Sequence, residues 1–194
     1  MAILDAIRSG KIPNARISLV ISNNSGSGAL EIARSNNIPS LHLSRAQSGS
    51  DEAFNDTVLS HLMEYRINFI VLAGYMKRIA PAIVRAFRDR IINIHPALLP
   101  SFGGPGMYGN IVHEAVIRSG ASVSGATVHI VDEEYDHGRI ILQKSVPVVP
   151  NETPGTLAAK VSMLEHEIYP EAIRMFAEAD MMIGEQHAVT ESNS

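Results

Sequence analysis

The sequence predicts an α/β protein whose sheet is mostly parallel and ends in an antiparallel hairpin. Three observations carry that reading. Apolar runs rich in β-branched residues alternate with amphipathic helical stretches from the start of the chain to about residue 120. Most of these runs are continuously apolar, the pattern of strands covered on both faces. Beyond them, two long strand-like stretches are joined only by "DEEYDHG", which is too short for a helical crossover and therefore forms a hairpin.

The elements follow in order. "ISLVIS" (Ile17 to Ser22) is a strand and "ALEIARS" a helix. "SLHLS" is again a strand, "DEAFNDTVLSHLMEYR" a helix, and "NFIVLAG" (Asn68 to Gly74) a strand before the helix "PAIVRAF". "RIINIH" is the next strand, stopped by Pro96. A helix from about Tyr108 to Ser119 ends at Gly120, a residue suited to the left-handed turn that closes helices. "GATVHIV" and "RIILQKSVPVV" are the hairpin strands. A final helix starts near Thr156, with Leu157, Val161, Leu164 and Ile168 at helical spacing, and Pro170 should break or kink it. Residues 1–183 read as one domain, and 184–194, "GEQHAVTESNS", as a frayed tail.

Composition narrows the function. Of 194 residues, 45% are apolar and 19% charged, so one ordinary core-bearing domain is expected. The absence of cysteine excludes disulfides, thiolate metal sites and a cysteine nucleophile, and agrees with a reducing compartment. Net charge is -4 and the cations are scattered singly, which argues against a nucleic-acid partner. No apolar run approaches the ~20 residues that span a bilayer, and "MAILDAIRSG" is not a signal peptide. The expectation is a cytoplasmic protein with no membrane partner.

The stretch "NIHPALLP" raises the main chemical question, because a strand bound for the interior ends in Asn93 and His95. Alternate residues of a strand share a face, so the two polar side chains project together at the strand's carboxyl end, where α/β sheets bind ligands. An amide donates two hydrogen bonds and can hold an oxyanion, and an imidazole beside it can move a proton or share that charge. The alternative is a pair satisfied locally at a strand end. Asp136 in the hairpin turn offers a carboxylate that would raise the imidazole pKa and orient the ring.

Other features carry less. "VISNNSGSGALEIA" has the order strand, glycines, helix, but Glu31 stands where a dinucleotide fingerprint needs its third glycine, so it reads as a turn. His113, His129, His137 and His166 lack the spacing of a metal site, and no metal is expected. His129, on a strand face with Thr127, reads as hydrogen-bonded packing. A hydrolase triad of Ser101, His95 and Asp136 lacks the nucleophile elbow.

"NIHPALLPSF", "SGATVHIVDEEYDHGRIILQKSVPV" and "LEHEIYP" resemble the phosphoribosylglycinamide formyltransferases of purine synthesis, from near the first residue to about Met182. The resemblance implies a three-layer, Rossmann-like formyltransferase fold. It also implies transfer of a formyl group from 10-formyltetrahydrofolate to the amine of glycinamide ribonucleotide. Asn93, His95 and Asp136 correspond to the catalytic trio, with His95 protonated and Asp136 keeping it so. Met76, Lys77, Arg78 and Ile79 fall in the folate segment, where Lys77 could reach the glutamate tail. Asn93 and the turn residues Asp132, Glu133 and Tyr135 meet the same folate, while Pro96 and Glu165 belong to the ribonucleotide.

Two departures accompany the resemblance. Asp51 stands where many members carry an arginine for the folate tail. The family's opening strand and glycine-rich phosphate loop have no counterpart, since Ile3, Leu4 and Ile7 already form a helical face. That predicts weak phosphate binding, and exposed edges on "ISLVIS" and "NFIVLAG" that favour association, a homodimer included. Two alternatives stay open: formyltetrahydrofolate deformylase, although Pro96 stands where its second histidine usually follows, and a non-catalytic folate-binding remnant. Methionyl-tRNA formyltransferase is excluded by length and charge.

Overall fold

The structure, a computed structural model, describes the backbone of residues 1–191 and the side chains of residues 1–178. Its elements run α1 (Ala2–Arg8), β1 (Val20–Ser22), α2 (Gly28–Ser35), β2 (Ser40–His42), α3 (Arg45–Ser48), α4 (Asp51–Glu64), β3 (Ile70–Leu72) and α5 (Pro81–Ala86). Then follow β4 (Ile91–His95), α6 (Asn110–Ser119), β5 (Val123–Ile130), β6 (Ile140–Pro147) and α7 (Pro154–Glu191). Side-chain chemistry sets many of the boundaries. Ser27 caps α2 by accepting from the Leu30 N–H, and Ser50 caps α4 by accepting from the Ala53 N–H. Gly120 closes α6 at φ 69°, a left-handed conformation that glycine adopts without a Cβ penalty.

Three layers result. On one side of the sheet, Ala6 of α1, Val116 of α6, and Leu157, Val161, Ile168 and Ala172 of α7 pack against Ile92, Ala126 and Val128. On the other, Leu62 of α4 and Ile83 and Val84 of α5 pack against Ile91, with Ile21 and Ile70 beside them. Ile91 and Ile92, adjacent in sequence, therefore anchor opposite layers, as the two-residue period of a strand requires.

The expected parallel strands and the antiparallel C-terminal hairpin are both present, divided between two sheets. β1 and β2 form a separate parallel pair, while β3-β4-β5-β6 form a second sheet in which only β3 and β4 are parallel. The eight-residue strands β5 and β6 pair antiparallel along most of their length, so the hairpin dominates the larger sheet. Among the described residues, β1 pairs only with β2, and β3 only with β4. One edge of each remains unpaired.

Helix α7 contains Pro170 without ending there. It continues to Glu191, beyond residue 184 where the tail was expected to begin, and residues 192–194 lie outside the described residues. The buried Tyr169 hydroxyl lies 2.6 Å from the Leu72 carbonyl and 3.1 Å from that of Ile92, which ties α7 to β3 and β4 next to the proline.

The open edges are measurable. The Val20 N–H is taken by Pro39 and the Ile70 N–H by Arg90, so the intervening groups of Ile21 and Val71 face the unpaired sides. In amide hydrogen exchange, Ile21 and Val71 should exchange at least tenfold faster than Ile92, which is paired on both sides. Equal protection would show the edges to be covered.

Candidate active site

The site forms where β4 ends and the hairpin turn folds back over it. Thr127, fully buried on β5, makes that junction. Its hydroxyl donates to the Ala97 carbonyl (2.6 Å) and accepts from the Leu99 N–H (3.1 Å) and Gln143 Nε2 (2.8 Å), while Gln143 also donates to the Leu99 carbonyl (3.1 Å). The segment after His95 is thus fastened to both hairpin strands. The peptide between Leu99 and Pro100 is cis.

Asn93, His95 and Asp136 come together as expected, and His129 joins them. His95 is 3% exposed; its Nε2 donates to the Phe102 carbonyl (2.8 Å) and its Nδ1 lies 3.5 Å from Asp136 Oδ2. The other carboxylate oxygen lies 3.5 Å from His129 Nε2, which is also 3.2 Å from Asn93 Nδ2. His129 Nδ1 donates to the Ile130 carbonyl (2.9 Å) and so fixes the ring. The expectation that His129 is hydrogen-bonded packing holds for Nδ1, but its other nitrogen belongs to the site. Its spacing from Thr127 shows the shared strand face but not the turn that brings Asp136 above it.

Asp136 reaches this position through a left-handed residue (φ 53°) and two close approaches. A Cβ at Gly138 would lie 1.9 Å from the Ile130 carbonyl oxygen, so only glycine lets the hairpin close there. A Cβ at Gly103 would lie 2.5 Å from Leu99 Cδ2 and 3.2 Å from Asp136 Cβ, and the next N–H, of Gly104, donates to Asp136 Oδ2 (2.9 Å).

The electrostatics modify one expectation. Burial pushes the His95 pKa down; Asp136 and the Phe102 carbonyl raise it and His129 lowers it further, with a net downward displacement. The carboxylate therefore favours imidazolium as anticipated, while burial opposes it and is the larger influence. Burial also acts to raise the Asp136 pKa, but hydrogen bonds from His129 and the Gly104 N–H, with both histidine charges, hold this carboxyl below its ordinary value.

This constellation opens into a cleft of about 840 Å³. Leu72 to Ile79 line the cleft together with Asp132, Glu134, Tyr135 and Asp136, so Met76, Lys77, Arg78 and Ile79 all border it. Glu133 does not line the cleft: its carboxylate pairs with Arg85 (3.2 Å) and its carbonyl accepts from Arg78, which ties the turn to α5. Pro96 and Glu165 also line the cleft, as does the start of α1, and burial raises the Glu165 pKa. His113 also reaches the wall; it is 5% exposed and its Nδ1 has no hydrogen-bond partner among the described residues. No cluster of His, Asp and Glu suited to a metal ion occurs among the described residues, and no helix there is long and apolar enough to cross a membrane.

Comparison with known proteins agrees with this geometry. The family described as formyl transferase matches residues 1–173. The chain belongs to this family. A chloroplastic phosphoribosylglycinamide formyltransferase of Arabidopsis thaliana is 46% identical over 166 residues, which are 85% of this chain and 57% of that protein. The chain likewise spans 56% of the corresponding protein of Vigna unguiculata, somewhat over half the length of both plant relatives. The Haemophilus influenzae enzyme of the same name is 36% identical, with 93% of this chain and 82% of that one covered. Among solved structures, glycinamide ribonucleotide transformylase 1 of Symbiobacterium toebii superposes with a TM-score of 0.85 at 40% identity, covering 92% of this chain and 81% of the other. A formyltetrahydrofolate deformylase of Pseudomonas syringae reaches 0.81 at 26% identity, covering 92% of this chain and 57% of its own. Backbone shape is thus shared by both activities, while sequence identity is higher to the transferase.

Two outcomes test the site. Replacing Asp136 with Asn removes the largest influence that raises the His95 pKa, so the ring should titrate at a still lower pH; NMR titration of the imidazole checks this, and an unchanged midpoint would break the pairing. Gly103→Ala should destabilise by about 1–3 kcal/mol through overpacking and shift the Asp136 carboxylate, read by thermal unfolding and by the same titration.

Proposed function

We propose that this chain transfers a formyl group from 10-formyltetrahydrofolate to the amine of glycinamide ribonucleotide, a step of purine synthesis. The observation that carries the reading is the convergence of Asn93, His95 and Asp136 at one end of an 840 Å³ cleft. Identity of 36–46% to formyltransferases of that name supports it.

In this reading the ribonucleotide amine attacks the formyl carbon, a new C–N bond forms, and the bond from that carbon to the folate nitrogen breaks. Asn93 Nδ2 lies 3.2 Å from His129 Nε2, and its amide N–H is the donor that holds the oxygen that becomes negative. Beside Asp136, His95 in its unprotonated form accepts the proton that the amine loses, through water, and becomes an imidazolium stabilised by the carboxylate. It then shares the oxyanion charge and returns the proton to the departing folate nitrogen. The proton balance closes within the His95–Asp136 pair, and no metal enters the scheme.

The pterin end of the donor rests between Met76–Ile79 and the Asp132–Asp136 turn, and the ribonucleotide lies on the side of Pro96 and Glu165. The deformylase reading differs only in the acceptor, which would be water. The assay that separates them supplies the donor with and without glycinamide ribonucleotide. Formylated ribonucleotide is the expected product, and release of formate with water as sole acceptor would overturn the assignment. Asn93→Ala should lower turnover about a hundredfold or more while leaving the thermal transition in place. Near-normal turnover would remove Asn93 from the oxyanion site.

A further inference from the structure

Helix α7 turns one face into the cleft, where Ala158, Ser162, Glu165, His166 and Tyr169 all line it. Glu165 and Tyr169 are four residues apart, so they stand one above the other on that face. Pro170 follows at once. A proline in a helix interior has no N–H to give to the carbonyl four residues back, here that of His166, so α7 gives up a backbone hydrogen bond where it borders the cleft. A side chain secures the helix at this point.

Tyr169 is 5% exposed, and its hydroxyl reaches two strand carbonyls, that of Leu72 at 2.6 Å and that of Ile92 at 3.1 Å. Both lie next to functional groups. Leu72 is the last residue of β3 and the first of the cleft-lining run to Ile79. Ile92 immediately precedes Asn93, and Leu72 and Asn93 are register partners in the β3–β4 pair. One oxygen atom thus touches the strand that carries Asn93 and the strand end from which the folate segment leaves. Glu165 is near enough to act on this hydroxyl electrostatically, and burial pushes the Tyr169 pKa well up, so the group remains a donor. Packing alone does not call for the oxygen. The ring belongs to the apolar core, where a buried hydroxyl costs stability unless it is paired.

We propose that Tyr169 is a positioning residue for the formyl transfer: its hydroxyl fixes the spacing between the α7 face that carries Glu165 and the strand ends that carry Asn93 and the folate segment. The proposal rests on the reading above, in which Glu165 meets the ribonucleotide and Met76–Ile79 meet the folate. The amine must come within about 3–3.5 Å of the formyl carbon, and a displacement of about 1 Å can cost about a hundredfold in rate. Tyr169 sets that approach through Glu165 and Asn93.

The test is Tyr169→Phe in the full chain, which removes one oxygen and leaves the ring in the core. With 10-formyltetrahydrofolate and glycinamide ribonucleotide, kcat should fall about tenfold or more, while the calorimetric affinity for 5-formyltetrahydrofolate stays within about twofold. Pro170→Ala added to this variant returns an N–H to the His166 carbonyl and offsets lost stability without restoring the hydroxyl. Thermal unfolding checks that effect, and kcat should remain low; the double variant carries the same comparison if Tyr169→Phe alone does not fold. Recovery of kcat to the unmodified value in the double variant would overturn the proposal, because the hydroxyl would then serve only to hold the helix. A folded Tyr169→Phe protein with unchanged kcat, or one whose loss lies in folate affinity instead of kcat, would overturn it as well. An unmodified protein that forms no formylated ribonucleotide would overturn the formyl-transfer reading and the proposal with it, a result distinct from an active protein indifferent to Tyr169→Phe.

Discussion

The carboxylate of Asp136, set between the rings of His95 and His129, is the contact on which the site's arrangement depends. It joins residues from different parts of the chain: the end of β4, the end of β5 and the turn after it. A carboxylate that accepts from a backbone N–H and lies against two imidazoles remains ionised despite burial, because each of these neighbours favours the charged form. The geometry needs two glycines whose Cβ would strike neighbouring atoms. Gly138 lets the hairpin close, and Gly103 lets the segment after β4 pass beneath the carboxylate. The register of β5 on β4, with Asn93 opposite His129 and His95 opposite Thr127, places the remaining partners.

Burial and charge act in opposite directions on His95. Removing the ring from water disfavours imidazolium, and the facing carboxylate favours it. Of the two influences burial is the larger, so the imidazole pKa lies below its ordinary value. The walls of the cleft reflect the same economy of charge. Arg78 and Arg85 are engaged in holding the turn through Glu133, and Arg45 is held by Asp51, so few cations in this region are unconstrained.

Much of the site was legible in the sequence because its parts lie at strand ends and turns. Asn93 and His95 sit at alternate positions of a strand stopped by Pro96, a pattern that gives their common direction without any knowledge of the fold. Asp136 stands immediately before the His137–Gly138 bend, so its place in a turn was also readable. The roles of Thr127, Gln143, the Phe102 carbonyl and the Gly104 N–H were not. A backbone group carries no sequence signature, and a buried threonine resembles any other β-branched strand residue until its partners are known. Glu133 shows the opposite case: grouped with its neighbours as a ligand contact, it turns away from the cleft to meet two arginines from distant segments.

By itself the sequence determined the alternation of strands and helices, the hairpin, the cap that ends α6 and the polar pair at the end of β4. Each of these follows from local rules of periodicity, steric restriction and capping that act within a few residues. Only the tertiary structure decided the division into a parallel pair and a four-stranded sheet, the second histidine on Asp136, and the burial that lowers the His95 pKa. Those outcomes depend on which distant groups share a buried space. Pairing and desolvation energies are set by distances between segments far apart along the chain, which local sequence pattern does not encode.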